Sequence, residues 1–148
     1  MTFMETVMRK GHLENAFVAK DIIELVFRTM RDLMTTEASD RVAVELEEEN
    51  EVVPTEEYKP LPDEVGDLWR DTDPVVGFLS RIEGPMKFDS DSFLFRLRQE
   101  AHLPEGIDLE TVICAVFSAT KHELSEERIE EIASFLPEKI RNMWNQAS

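Results

Sequence analysis

Apolar residues recur at helical spacing along most of the chain, and the clearest run follows Asp108. Leu109, Val112, Ile113, Val116, Phe117, Thr120 and Leu124 form one stripe down a predicted long helix. Asp108 is placed to cap that helix, and Ser125 followed by Glu126 and Glu127 predicts the start of the next one. A short polar side chain satisfies free N–H groups there, and acidic residues favour the positive end of the helix dipole. Ile129, Ile132, Ala133 and Leu136 make the inner face of this second helix. Pro137, whose fixed φ suits a first helical turn, opens a short helix carrying Ile140, Met143 and Trp144. Upstream, Ser90 or Asp91 is expected to cap a helix with Phe93, Leu94, Leu97 and Ala101 on one side.

A shift of 90 residues lays the start of the chain over this pattern. Phe3 falls on Phe93, His12-Leu13 on His102-Leu103, Ile23, Val26 and Phe27 on Ile113, Val116 and Phe117, and Leu46 on Leu136. Beyond Leu46 the shift becomes 75, and Leu61-Pro62 through Trp69 aligns with Leu136-Pro137 through Trp144. The difference is a fifteen-residue insertion in the first copy. It holds Glu47, Glu48, Glu49, Glu51, Glu56 and Glu57 with Pro54 and Pro60, and is expected as a solvated loop near 47–61. The fold class expected is all-α, a tandem duplication of a roughly four-helix unit with about eight or nine helices. Residues 1–72 and 90–148 are the two units, and 73–89 is a connector with a short helix opened by Asp73-Pro74.

The stretch Asp91 to Trp144 resembles the repeat of the uncharacterised bacterial family called domain of unknown function 2267. The resemblance rests on the Phe93-Leu94 opening, the break at Leu103, the Val112-to-Phe117 helix, the Leu124-Ser125 turn and the Ala133-to-Pro137 run. It implies two helical units over nearly the whole chain and implies no function.

Composition narrows the function classes. Hydrophobic residues at 42% and charged residues at 32% describe a chain able to fold, since disordered chains lack the apolar content that offsets chain entropy. The net charge of −16 repels phosphate backbones and anionic lipid, so neither nucleic acid nor membrane is an expected partner. One cysteine, Cys114, allows no internal disulfide, and the first ten residues hold no uninterrupted apolar run, so the cytoplasm is the expected compartment.

No residue set matches a catalytic or metal-binding pattern. Residues three before His12, His102 and His122 are Arg9, Gln99 and Ala119, which leaves no Glu-x-x-His pair for a di-iron bundle. Asp89-Ser90-Asp91 begins like a calcium loop, but Phe93 and Leu94 stand where oxygen ligands and glycine are needed. The glycines do not cluster into a phosphate cradle, and Cys114 lies in an apolar run as a small hydrophobe. No cofactor or metal is expected, and the chain is read as no enzyme. Met4, Met8, Met30 and Met34 are read as core, Trp69 and Trp144 as lids on it, and the histidines as partners of helix C-termini.

The expectation is therefore a non-catalytic protein that engages a protein partner, basic in character, through an acidic surface. Glu47, Glu48, Glu49, Glu51, Glu56 and Glu57 are the candidate contact residues. The alternative is a small-ligand or metal site between the two units, with His12 and His102 converging on it; a homo-oligomer is also left open.

Overall fold

A computed structural model describes residues 2–49, 68–69 and 89–147, and among them the chain is all-helical, with seven helices and no strand. The helices are α1 (Phe3–Gly11), α2 (Ala16–Leu33), α3 (Thr36–Glu49), α4 (Ser90–Glu100), α5 (Leu109–Lys121), α6 (Glu126–Phe135) and α7 (Glu138–Gln146). The expected connector helix in 73–89, and the rest of the expected helix count, lie outside the described residues.

Side chains placed at the helix starts account for most of the boundaries. Thr2 and Glu5 form a reciprocal capping box on α1, and Asn15 accepts from the Phe17 N–H at 2.8 Å on α2. Asp108 and Ser125 cap α5 and α6 as their positions predict, accepting from the N–H groups of Thr111 and Arg128. Two expectations need correction. The cap of α4 is Asp89 rather than Ser90 or Asp91, accepting from the Ser92 N–H at 2.8 Å. Ser90 serves a different helix: its hydroxyl accepts from the N–H groups of Lys139 and Ile140 at 3.0 and 3.4 Å. That closes the start of α7, where Pro137 has no capping side chain of its own. The second correction is α3, which continues through Glu49, so the insertion begins as helix and not as loop. Glutamate is a good helix former, and the first helix-breaking residue after Leu46 is Pro54.

The packing interlaces the two halves of the chain. The chief neighbour of α1 is α5, and α4 lies against α2, so the first helix of each half packs on the long helix of the other. Antiparallel progression along α2 and α4 follows from Asp32 pairing with Arg96 at 2.6 Å while Glu100 to Leu103 reach back toward Val18. A third contact joins α3 to α6, and α7 closes over α4, α5 and α6. Buried apolar side chains from both halves, Val7, Ile23, Phe27, Phe93, Ile113 and Phe117 among them, form one continuous cluster. At Gly11 helix α1 packs on α5: a β-carbon there would touch Val112 Cγ2 at 3.5 Å and Ala115 Cβ at 3.6 Å. Helix α1 then ends in a left-handed turn at His12, φ 61°, where Leu13 donates back to the Met8 carbonyl at 2.8 Å.

The same contacts recur in the two halves. Trp69 donates its indole N–H to the Ser39 carbonyl at 3.0 Å, and Trp144 donates to the Ile129 carbonyl at 3.1 Å. Each indole meets a phenylalanine edge-on with ring centres 5.1 Å apart, Trp69 with Phe27 and Trp144 with Phe117. Both tryptophans are buried. Their partners lie 90 residues apart, as the sequence register demands. Met4, Met30 and Met34 are buried, and Met8 packs against the core.

Candidate functional site

The two interlaced contacts each leave a surface groove beside a long helix. The first, about 390 Å³, runs between α2 and the end of α4. Val18, Ile22, Leu25, Ala101 and Leu103 make its apolar floor, and Asp21, Glu24 and Glu100 stand along it with Arg28 and His102. Glu24 is shared with Lys20 at 3.3 Å, one helical turn away. Phe17 lies one turn before Asp21 on the same face of α2, with 66% of its surface in solvent.

The second groove, about 460 Å³, lies beside α5 against the ends of α1 and α7. Asp108, Thr111, Cys114, Ala115 and Ser118 line it at positions 90 beyond Val18, Asp21, Glu24, Leu25 and Arg28. Lys10 occupies the position matching Glu100, and its ammonium donates to Ser118 Oγ at 2.7 Å. The two hollows therefore share a place in the architecture and differ in chemistry: Asp21, Glu24 and Glu100 stand with Arg28 and His102 in the first, and Asp108 and Glu110 with Lys10 in the second.

A third hollow of about 340 Å³ overlies the seam of α3 and α6. Arg41 meets Glu131 at 2.7 Å, and Arg128 meets Glu131 and Glu127 at 2.7 Å and Glu45 at 3.7 Å. The Glu45 carboxylate also accepts from the Ser125 N–H and, at 3.0 Å, from its hydroxyl, so a side chain of α3 completes the cap of α6. The Arg41 hydrogen bond holds Glu131 below the usual carboxylate range despite burial, with Arg128 adding to the effect. These charges are committed to joining the helices.

The singled-out residues are dispersed. His12 terminates α1, His122 caps the end of α5, and His102 lines the first groove, which His12 does not. Among the described residues no three His, Cys, Asp or Glu side chains are grouped to hold a metal ion. Cys114 lines the second groove half-buried, and burial, with Glu110 and Asp108, pushes its thiol pKa up, which suppresses the thiolate. Lys121 is used structurally: its ammonium donates to the carbonyls of Trp144 and Ala147 at 2.7 Å and lies 5.8 Å from the Trp144 ring centre. Glu47, Glu48 and Glu49 form the last turn of α3, whereas Glu51, Glu56 and Glu57 lie outside the described residues. Sequence reasoning missed Asp21, Glu24 and Glu100. The signal available was the stripe Phe17, Asp21, Glu24, Arg28 on one face of α2, legible only once the opposite face is known to be buried.

A family model described as uncharacterized conserved protein (DUF2267) matches residues 1–143. The chain belongs to this family. The DUF2267 match covers every residue of both grooves except Ala147, and the family description attaches no activity to them. No curated protein matches the sequence. Among the described residues of this DUF2267 chain, no helix is long and apolar enough to cross a membrane.

Proposed function

We propose that the chain is an internal duplication, units 1–72 and 90–148 joined by 73–89, that works as a non-catalytic, cytoplasmic binding protein for a basic protein partner. The duplication is supported by the matched tryptophan contacts and by Arg41 meeting Glu131, the residue 90 positions on. Two copies related by a two-fold axis bring a residue and its counterpart together at that axis.

The observation that carries the binding reading is the surplus of carboxylate. Acidic residues number 32 against 16 basic ones, and many of the basic ones are engaged within the chain. Lys20, Arg41, Arg96, Arg128 and Lys139 pair with acidic side chains of the chain itself, and Lys10 and Lys121 hold Ser118 and the end of α7. A surface left with this excess attracts a positively charged partner, steers its approach and repels nucleic acid. The glutamates from Glu47 onward add to the same field.

Affinity capture from source lysate tests the reading. Tagged protein should enrich one or more basic proteins at low salt and release them at high salt. Enrichment of nothing at low salt, or of acidic proteins retained at high salt, would overturn it.

A further inference from the structure

We infer that the groove between α2 and the end of α4 is the docking site for a positively charged amphipathic helix of the partner. This rests on the binding reading above and adds to it a place and a shape. The groove presents an apolar floor of Val18, Ile22, Leu25, Ala101 and Leu103 with Asp21, Glu24 and Glu100 beside it. That is the complement of a helix whose apolar stripe is flanked by lysine or arginine: the stripe seats on the floor while the cations reach the carboxylates. Helix α2 forms one wall, and the last residue of α4 with Ala101, His102 and Leu103 after it forms the other, leaving a hollow along α2 that can accept the side-chain ridge of a further helix. The exposed Phe17 continues the same face of α2 one turn beyond Asp21 and offers an aromatic anchor at the mouth.

The second groove supplies an internal contrast. At the matching positions it has Thr111 for Asp21, Cys114 for Glu24 and Lys10 for Glu100, with Lys10 already bonded to Ser118. Its own carboxylates are Asp108, which caps α5, and Glu110, which pairs with Lys139 at 3.2 Å, so a basic helix should prefer the first groove.

Fluorescence anisotropy with a labelled helical peptide of leucine and lysine in amphipathic register, against the same residues scrambled, reads this out on the full chain. The amphipathic peptide should bind saturably and more tightly than the scrambled one, with affinity falling as salt rises. The triple variant Asp21→Asn, Glu24→Gln, Glu100→Gln should lose about tenfold or more in affinity and much of the salt dependence. Phe17→Ser should weaken binding and leave the salt slope unchanged. A control triple with the same change in net charge, Glu126→Gln, Glu130→Gln, Glu138→Gln, lies on α6 and α7 outside the groove and should bind like the unaltered chain. Equal loss in both triples, or equal binding of both peptides, would overturn the groove assignment. Lysate capture with the groove triple separates the two claims: a basic partner still captured means that the binding reading stands and the groove is wrong.

Discussion

Replacing Trp144 by phenylalanine tests how firmly the last helix closes the core. The indole is fully buried, donates to the Ile129 carbonyl at 3.1 Å, and packs edge-on against Phe117. Phenylalanine keeps an aromatic ring but loses the donor, which is worth about 1 kcal/mol net because Ile129 keeps a place in the α6 hydrogen-bond ladder. The missing ring atoms leave a void in a close-packed site, adding about 1–2 kcal/mol. Together these make about 2–3 kcal/mol, or a fall in Tm of roughly 4–12 °C for a chain of this size. Urea and thermal unfolding followed by far-UV circular dichroism measure both. Trp69→Phe should cost a similar amount, since its donor and ring contacts are the same. A loss below about 0.5 kcal/mol in either variant would refute the reasoning that these indoles anchor the core.

Reversing the charge at the seam should be unfavourable singly and recover in combination. Arg41→Glu or Glu131→Arg lowers Tm, and the double variant returns toward the parent; additive losses would show that the pair is not coupled. Gly11→Ala should stabilise by about 0.5–1 kcal/mol, because the added carbon makes ordinary contacts with Val112 and Ala115 while helix entropy improves, whereas Gly11→Leu should destabilise through overpacking. On acidification two effects act in sequence. Protonating ordinary carboxylates relieves the repulsion of a net charge of −16, so Tm should rise from pH 7 toward about pH 5, as it should on adding moderate salt. Asp89 and Asp108, held below the usual range by hydrogen bonds at their helix starts, and Glu131, held there by Arg41, stabilise the fold above their unfolded pKa. That contribution is lost as pH falls through their lowered folded values, so Tm should fall steeply below about pH 4. A Tm that climbs steadily to pH 3 would contradict this assignment.

Local chemistry made much of the fold legible. The stripes from Leu109 to Leu124 and from Ile129 to Leu136 are helical faces, and Asp108 and Ser125 cap as their positions suggest, because periodicity and capping depend on near neighbours. What failed depended on distant ones. Ser90 could not be seen as the cap of α7, since its partners lie 49 and 50 residues away, nor could Glu45 be seen completing the cap of α6. The acid-rimmed groove was hidden for the same reason: Asp21 and Glu100 are ordinary surface residues until α4 is laid against α2. Periodicity says which face of a helix is buried, and not which helix buries it.

The groove exists only because the two halves share one core, and hydrogen exchange reads that interlacing. Native-state exchange at rising sub-denaturing urea should bring the slowest amides of α2 and of α5 onto one common unfolding free energy, with those of α1 following α5. Persistent protection of α4 to α7 under conditions where α1 to α3 exchange freely would mean two independent units, and would contradict the account.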